Sequence, residues 1–295
     1  MNVHERRERF RSILVGDRFV RPASVYDALS ARAAEALGYE MMIMAGSSAS
    51  LVVLGAPDLV LLTLSELVEQ ARRVTRAASR PLMVDADHGY GNALNVARCV
   101  QELEAAGASA LSIEDTVLPI PFGASEETLV SVEEGAGKMR AAVAARTDPS
   151  LVILGRTGAI RSEGLASAIA RAKAYEAAGV DGLYFVGQPA REELGALRAA
   201  SSLPFVRAGT TKGLGDDAYL VSLGVRIGGW SHRPIQAAAE AVYETLRALR
   251  GETSVGRHPR SLEPGEVMDA LSRKRHYSED TALYLRSSFQ TLHSA

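Results

Sequence analysis

The sequence predicts an α/β protein, namely a (β/α)8 TIM barrel with a C-terminal helical extension. Short apolar runs alternate with longer amphipathic runs rich in Ala, Glu and Arg from about residue 19 to residue 250, as in strands followed by crossover helices. About eight such repeats close a parallel barrel. An open doubly wound sheet is the alternative. However, no Gly-x-Gly-x-x-Gly follows the first strand, where a dinucleotide fingerprint would lie.

The predicted strands come in chain order, with a helix expected after each of them. They are placed at about 20–25, 41–46, 81–86, 110–114, 151–156, 182–187, 203–207 and 225–229. Two of the helices have start signals, because Thr63-Leu-Ser-Glu66 and Ser131-Val-Glu-Glu134 fit the capping box. In that arrangement a hydroxyl caps an early amide and the Glu side chain reaches back.

The composition changes after residue 250, where the barrel pattern stops. Residues 251–260 are a polar linker, and a helical pattern then runs to about Leu292. We therefore predict a catalytic barrel domain over residues 1–250. The C-terminal helical arm, residues 251–295, is expected to pack on a partner subunit.

Composition and charge exclude several classes of protein. Among the 295 residues, 33 Lys and Arg face 35 Asp and Glu, so the formal charge is −2. With this balance the chain has no excess of positive charge that would favour binding to nucleic acid or to an anionic membrane. The N-terminus is too charged for a signal peptide, and the most apolar stretch, 51–64, is interrupted by Gly55, Pro57 and Asp58. We expect neither export nor a membrane span.

Cysteine usage indicates a reducing compartment. Cys99 is the single cysteine, so the chain can form neither an internal disulfide nor a thiolate zinc cluster. We expect a cytoplasmic protein, in which any metal must use oxygen or histidine ligands.

Carboxylates follow two neighbouring predicted strands, at the barrel end where functional groups lie. Asp85 and Asp87 are two residues apart at the end of the third strand and therefore point to the same side of an extended chain. Glu114 ends the fourth strand. Three carboxylates at one place repel each other without a cation, and Mg²⁺, with Mn²⁺ as its substitute, prefers such oxygen ligands. The alternative for Asp85 and Asp87 is ordinary turn chemistry, and Asp58 alone is typical of a loop.

Other strand ends offer groups that suit an anionic substrate. Arg156, after the fifth strand, is suited to bidentate capture of a carboxylate; the alternative is a surface ion pair. His232, after the eighth strand, could donate to a carboxylate or move a proton, although a lone histidine is more often structural. Gly46 and Ser47, after the second strand, offer backbone and hydroxyl donors, or form a serine turn.

These segments together resemble the isocitrate lyase/phosphoenolpyruvate mutase superfamily over residues 10 to 250. The resemblance is carried by Tyr26-Asp-Ala-Leu-Ser30, Gly46-Ser47, Gly55-Ala-Pro-Asp58, Asp85-Ala-Asp87-x-Gly-Tyr-Gly-Asn92, Ile113-Glu-Asp115 and Arg156-Thr157. It implies a Mg²⁺-dependent barrel that acts on α-keto or α-hydroxy acids through enolate intermediates. It also implies a homotetramer, a dimer of dimers, in which a helix is exchanged between subunits.

The resemblance also implies roles for individual residues. Asp85 matches the direct metal ligand, whereas Asp58, Asp87 and Glu114 match the positions that bind the metal through water. The positions that match the binding of the substrate, an α-keto dicarboxylate, are Tyr26, Gly46, Ser47, Arg156 and His232, of which Arg156 and His232 are expected to be catalytic.

The loop after Glu114 distinguishes the branches of the superfamily. The carbon–carbon lyases carry Lys-Lys-Cys-Gly-His there, whereas this chain has Thr116-Val-Leu-Pro-Ile-Pro-Phe-Gly123. Cys99 cannot substitute, because it lies within a helical pattern, typical of a buried structural thiol. The Lys/Asn-containing lid of the mutases is also missing. The sequence is most similar to the oxaloacetate decarboxylase branch, which implies Mg²⁺-dependent decarboxylation of oxaloacetate, or a close β-keto diacid, to pyruvate and CO₂ through a metal-stabilised enolate.

Two alternatives stay open, and three departures from that branch bear on the second of them. Gly158 stands where an Asp commonly follows Arg-Thr, Trp230-Ser231 stands where Asp-Gly is expected, and no tyrosine follows the seventh strand. One alternative is a C–C or C–P bond lyase or hydrolase of the superfamily that acts on a substituted malate or phosphonopyruvate. The other is a non-catalytic barrel that retains the metal site.

Overall fold

The computed structural model describes residues 1–124, 126–187, 189–251 and 264–286, and it confirms the (β/α)8 barrel. Parallel strands pair in the order of the chain. They are β1 (Ala23–Ser24), β2 (Met42–Met44), β3 (Leu82–Asp85), β4 (Ala110–Glu114), β5 (Val152–Thr157), β6 (Gly182–Phe185), β7 (Phe205–Arg207) and β8 (Val225–Gly228). A parallel bridge between Val20 and Ile227 joins the last strand to the segment just before β1 and closes the sheet.

Helices follow the strands around the outside of the barrel, and further helices precede and follow it. They are α1 (Val3–Val15), α2 (Ala28–Ala36), α3 (Gly46–Leu54), α4 (Leu64–Ala77), α5 (Ala93–Ala105), α6 (Val132–Ala145), α7 (Ala159–Ser162), α8 (Leu165–Ala177), α9 (Arg191–Ala200), α10 (Asp217–Ser222), α11 (Arg233–Leu249), α12 (Pro264–Leu271) and α13 (Lys274–Tyr284). No helix in the described ranges is both long and apolar enough to cross a bilayer.

The observed strands fall within or next to the predicted runs. The largest difference is at the first strand, where the predicted run 20–25 becomes the Val20 bridge followed by the two-residue β1. Pro22 lies between the two parts and has no N–H to donate, which interrupts the ladder.

The two predicted capping boxes have different outcomes. At α4, Thr63 accepts from the Glu66 amide and Glu66 accepts from the Thr63 amide, so this prediction is confirmed. At α6 the structure records only the first bond, in which Ser131 accepts from the Glu134 amide. Burial lowers the pKa of Lys138, one turn further along the helix, and the charge of Glu134 opposes this effect.

The C-terminal region is described in part. The predicted linker lies mostly outside the described residues, because the structure omits 252–263, and the predicted helical pattern corresponds to α12 and α13 up to residue 286. The boundary between a barrel domain over 1–250 and an arm over 251–295 stays a prediction.

The inside of the barrel is filled by its own apolar cluster. Phe10 and Leu14 of α1 are fully buried against inward side chains of the strands, among them Met83, Val206 and Ile227. A second, larger cluster lies between the sheet and the outer helices. Because α1 contributes to the inner cluster, it closes the N-terminal end of the barrel and leaves the C-terminal end as the mouth.

Buried arginines of α1 attach this closing helix to the barrel. Arg7, which is 5% exposed, donates from Nε to the Ala108 carbonyl at 3.0 Å and from Nη2 to the Glu104 carbonyl at 2.7 Å. Its Nη1 donates to Asp148 at 2.9 Å. One guanidinium therefore satisfies two backbone carbonyls and a carboxylate at once.

Replacing Arg7 by methionine is expected to lower the free energy of unfolding by about 3–5 kcal/mol, because it leaves a carboxylate and two carbonyls without their donor. Denaturant unfolding followed by circular dichroism measures this change. Glu8→Gln, on the exposed side of the same helix, is the matched control and should unfold as the wild type does. Equal unfolding of Arg7→Met and Glu8→Gln would contradict the anchoring role.

Candidate active site

The predicted carboxylates and the predicted arginine meet at the mouth of the barrel. Asp85 is the last residue of β3 and Glu114 the last residue of β4, and Arg156 of β5 lies opposite Glu114 in the strand register. Parallel strands present their C-terminal ends on the same side of the sheet, so three neighbouring strands bring these side chains together.

Arg156 links two of the carboxylates. Its Nη1 donates to both carboxylate oxygens of Asp85 at 2.6 Å, and its Nη2 lies 3.1 Å from Oε2 of Glu114. All three side chains are largely buried, so the alternative of a surface ion pair for Arg156 is wrong. The Nε of Arg156 is buried and has no hydrogen-bond partner in the described part of the chain.

Asp87 lies against the start of α3. It is buried and adopts a left-handed backbone, with φ of 45°, and its carboxylate is so close to Gly46 that a Cβ at position 46 would overlap it. The Tyr90 hydroxyl is 3.5 Å from Asp87 Oδ2, a long contact. Glycine at position 46 therefore leaves room for the Asp87 carboxylate at the positive end of the α3 dipole.

The repulsion among the carboxylates of the cluster favours binding of a cation. Burial raises the pKa of Asp87 well above its ordinary value, and the charges of Asp85, Asp58 and Glu114 add to the effect. Burial likewise raises the pKa of Glu114, against the opposing charge of Arg156. Asp58 is exposed at the rim of the mouth, where partial loss of solvent and the charge of Asp85 raise its pKa. One arginine does not offset this much negative charge.

The donor set fits a hard divalent ion held partly through water. In the described ranges, no three His, Cys, Asp or Glu side chains are close enough together to hold a metal by themselves. Mg²⁺ commonly takes one or two carboxylates directly and keeps several waters. Buried, mutually repelling carboxylates that are spaced too widely for a closed ligand cage match this behaviour.

Stabilisation by Mg²⁺ is expected to increase with pH. Because the folded-state pKa values of Asp87 and Glu114 are raised, protonation of these groups stabilises the metal-free fold at low pH. This contribution is lost as the pH rises through the raised values. Mg²⁺ competes with those protons, so its affinity should rise by up to about tenfold per pH unit for each proton released. Thermal unfolding with and without MgCl₂, at about pH 5 and about pH 8, measures this, and equal stabilisation at both would contradict it.

A cradle of unpaired donors lies beside the carboxylates. Gly46 and Ser47 form the first turn of α3 rather than a serine turn, and the N-cap residue Ala45 makes no side-chain cap bond. The first amides of a helix have no intrahelical acceptor and therefore suit an anion. The hydroxyl of Ser48 is buried and has no partner in the described residues.

His232 is placed on the opposite side of the mouth by the start of α11, where it is the N-cap residue. Its Nδ1 lies 2.8 Å from the hydroxyl of Ser24 on β1. Burial lowers the pKa of His232, and so does the charge of Arg156, whereas the charge of Asp85 acts in the opposite direction. The imidazole is therefore neutral at physiological pH. The charges of Asp85 and Arg156, which belong to the carboxylate cluster, also act on His232.

Two aromatic side chains form a wall next to Arg156. The guanidinium carbon of Arg156 lies 5.5 Å from the centroid of the Tyr184 ring, and the Tyr184 and Trp230 rings are 5.9 Å apart. Both aromatic residues are buried. Trp230, which departs from the expected sequence pattern, is thus a packed part of this wall, and the cation–π contact helps to hold Arg156 in place.

Tyr26 lies next to residues of the site. It is half-buried and lines a groove between α2 and α11 together with Ser24 and Trp230, and its role in substrate binding stays a prediction. The sequence prediction missed three residues at the site: Ser24, Tyr184 and Ser112, whose hydroxyl donates to Asp85 at 3.1 Å. The spacing of Ser112, two residues before Glu114 on the same face of a strand, was a usable signal.

Comparison with known proteins finds a family model and several relatives that match most of this chain. The family model described as phosphoenolpyruvate phosphomutase matches residues 10–250. A protein named oxaloacetate decarboxylase from Bradyrhizobium sp. (strain BTAi1 / ATCC BAA-1182) is 56% identical, over 97% of this chain and 99% of its own. One of the same name from Rhodopseudomonas palustris (strain BisB18) is 52% identical, over 92% and 94%.

Solved structures with the same fold include two hydrolases. Oxaloacetate acetylhydrolase in complex with 3,3-difluorooxalacetate aligns with a TM-score of 0.75 at 27% identity, over 97% of this chain and 99% of that one. Phosphonopyruvate hydrolase in complex with oxalate and Mg²⁺ aligns with a TM-score of 0.73 at 30% identity, over 97% and 100%.

Proposed function

The chain belongs to the phosphoenolpyruvate phosphomutase family, and from this premise we propose that it is a carboxy-lyase that converts oxaloacetate to pyruvate and CO₂. The observation that carries the proposal is its likeness to proteins named oxaloacetate decarboxylase, at 51–56% identity over most of both chains. The superfamily resemblance found in the sequence is confirmed. The loop after Glu114, which contains no cysteine, supports a reaction without a thiol acid.

The substrate would lie between the α3 cradle and Arg156. The amides of Gly46 and Ser47, at the start of α3, and the guanidinium of Arg156 would hold the C1 carboxylate. The Nε of Arg156 has no other partner in the described residues. His232, across the mouth, would hold or orient the second carboxylate. Two anion sites on opposite sides of one mouth suit a dicarboxylate.

Asp85 would hold Mg²⁺, or Mn²⁺, directly, and Asp58, Asp87 and Glu114 would hold it through its waters. When bound, the ion supplies Lewis-acid stabilisation of the negative charge that develops on the keto oxygen. Arg156, which contacts Asp85 and Glu114, orients both carboxylates. The hydroxyl of Ser112 donates a hydrogen bond to Asp85 and so helps to fix the position of this carboxylate.

The reaction requires no covalent nucleophile. The C3–C4 bond breaks, its electron pair passes towards C2 and the keto oxygen, CO₂ leaves, and the resulting enolate takes a proton at C3. Cys99 plays no part, because it is buried within α5, where burial raises the pKa of its thiol to about 12. The chain's task is to orient the scissile bond and to exclude competing reactions.

The direct test is incubation of the purified protein with oxaloacetate and MgCl₂, with pyruvate followed over time. We expect turnover well above the rate with metal alone, and loss of turnover in EDTA. No rate above the metal-only background would disprove the proposal. Phosphonopyruvate and substituted malates, assayed in parallel, separate decarboxylation from the lyase and hydrolase alternatives. Oxalate binding without turnover of any of them would favour a non-catalytic barrel.

We further propose a cytoplasmic homotetramer built as a dimer of dimers. The 17-residue α11 has no buried residue in this single chain, and its Val242, Leu246 and Leu249 are 57–80% exposed along one face. A groove of about 630 Å³ between α2 and the start of α11 is lined mostly by apolar groups, including the side chains of Leu29 and Leu37. An exposed apolar helix and an open apolar groove on the same chain suit packing of a second copy.

Leu246→Glu is expected to weaken this assembly, because it places a charge in the exposed apolar face of α11. Light scattering after size-exclusion chromatography should show a tetramer for the wild type and smaller species for Leu246→Glu. Glu240→Gln, on the same helix, is the control and should leave the mass unchanged. A wild-type monomer would disprove the assembly.

A further inference from the structure

The position of His232 depends on a contact across the seam where the barrel closes. Ser24 belongs to β1 and His232 follows β8, 208 residues later in the chain. The two elements lie side by side because Val20 pairs with Ile227. The only hydrogen bond that the structure records for the His232 ring, in the described part, joins Nδ1 to the Ser24 hydroxyl at 2.8 Å.

The direction of this hydrogen bond follows from the hydroxyl's own needs. Ser24 is 8% exposed, and among the described residues its hydroxyl has no recorded acceptor other than His232 Nδ1. If Nδ1 carried the proton, it would donate to Ser24 and the serine proton would be left nearly buried without an acceptor, which costs free energy. If Oγ donates to Nδ1, both groups are satisfied and the ring proton lies on Nε2.

The surroundings keep the ring neutral, so that only the two tautomers compete. His232 lies at the N-terminus of the 17-residue α11, the positive end of a helix dipole. Burial and the charge of Arg156 lower its pKa, against the charge of Asp85. The ring therefore has one proton, and Ser24 determines which nitrogen holds it.

We propose that Ser24 is a positioning residue that fixes the Nε2–H tautomer of His232 and so makes His232 a neutral hydrogen-bond donor towards a carboxylate in the mouth. The identity of that carboxylate as the one lost from oxaloacetate rests on the proposed function, whereas the tautomer does not. The chemical advantage is that the carboxylate loses its charge as CO₂ forms. An imidazolium would stabilise the charged ground state more than the transition state, whereas a neutral donor orients the group with less of this penalty.

The tautomer can be measured directly by ¹⁵N NMR of protein labelled at histidine, since neutral Nε2–H and Nδ1–H imidazoles give distinct ¹⁵N signals. The chain has six histidines, and the His232 signals are those lost in His232→Gln. We expect the Nε2–H pattern in the wild type and in Ser24→Thr, which keeps the hydroxyl. In Ser24→Ala we expect a mixture of tautomers. Ser109→Ala, at a fully buried serine on the far end of the barrel wall, is the matched control and should keep the wild-type pattern.

Kinetics distinguish positioning from a general loss of structure. Ser24→Ala should lower kcat for oxaloacetate by about tenfold, with a smaller change in KM, and Ser24→Thr should restore most of the rate. An Nδ1–H pattern in the wild type would overturn the proposal, as would Ser24→Ala with unchanged tautomer and unchanged kcat. If the tautomer depends on Ser24 but oxaloacetate is not turned over, the positioning stands and the proposed function fails.

Discussion

Asp85→Asn is expected to lower kcat/KM for oxaloacetate by about 10³-fold or more, which corresponds to about 4 kcal/mol of transition-state stabilisation. Asp85 lies at the centre of the carboxylate cluster and is the proposed direct ligand. Asparagine keeps the size of the side chain but removes the negative charge on which Mg²⁺ affinity depends. We expect Asp85→Asn to weaken Mg²⁺ binding, and the rate to fall because less metal is bound.

Two measurements separate these contributions for Asp85→Asn. Calorimetric titration with MgCl₂ should show strongly reduced affinity, and very high MgCl₂ should restore part of the rate. Thermal unfolding without metal checks the fold, which Arg156 still holds through Glu114. Asp217→Asn removes a carboxylate from an exposed ion pair with Arg21 and should behave as the wild type. Wild-type Mg²⁺ affinity in Asp85→Asn would exclude Asp85 as the direct ligand.

The parts of the fold that depend on local pattern could be predicted from the sequence. Strand positions follow from short apolar runs, and a run's last residue marks the mouth in a parallel barrel. Asp85, Glu114 and Arg156 were therefore expected at one end, and the structure brings them into contact. The capping box at Thr63 was predictable for the same reason, since its partners are three residues apart.

Contacts between distant parts of the chain could not be predicted in this way. Ser24 and His232 meet only because the first and last strands close the sheet, and nothing in the sequence around Ser24 indicates its partner. Tyr184 has the pattern of a core residue, and its role beside Arg156 depends on the register between β5 and β6. Tyr26, matched by resemblance, lines the same groove as Ser24, and its role at the site stays a prediction.

Arg156→Lys and Arg156→Met are expected to separate the charge of Arg156 from its geometry. Lysine keeps the positive charge but cannot contact both oxygens of Asp85 and also Glu114, as the planar guanidinium does. We expect Arg156→Lys to fold with nearly wild-type stability and to lose about 10²–10³-fold in kcat/KM. The corresponding loss of carboxylate binding should raise the dissociation constant of oxalate in the presence of MgCl₂.

Arg156→Met should lose stability as well as activity. It leaves two buried carboxylates without their cation, a change that costs about 3–5 kcal/mol, so unfolding without metal should occur at lower temperature than in Arg156→Lys. MgCl₂ should recover part of this stability, because the ion replaces the missing positive charge, but not the activity. Arg21→Lys, in an exposed pair, is the control. If Arg156→Lys kept wild-type kcat/KM, the charge alone would be sufficient and the bidentate geometry would have no role in the reaction.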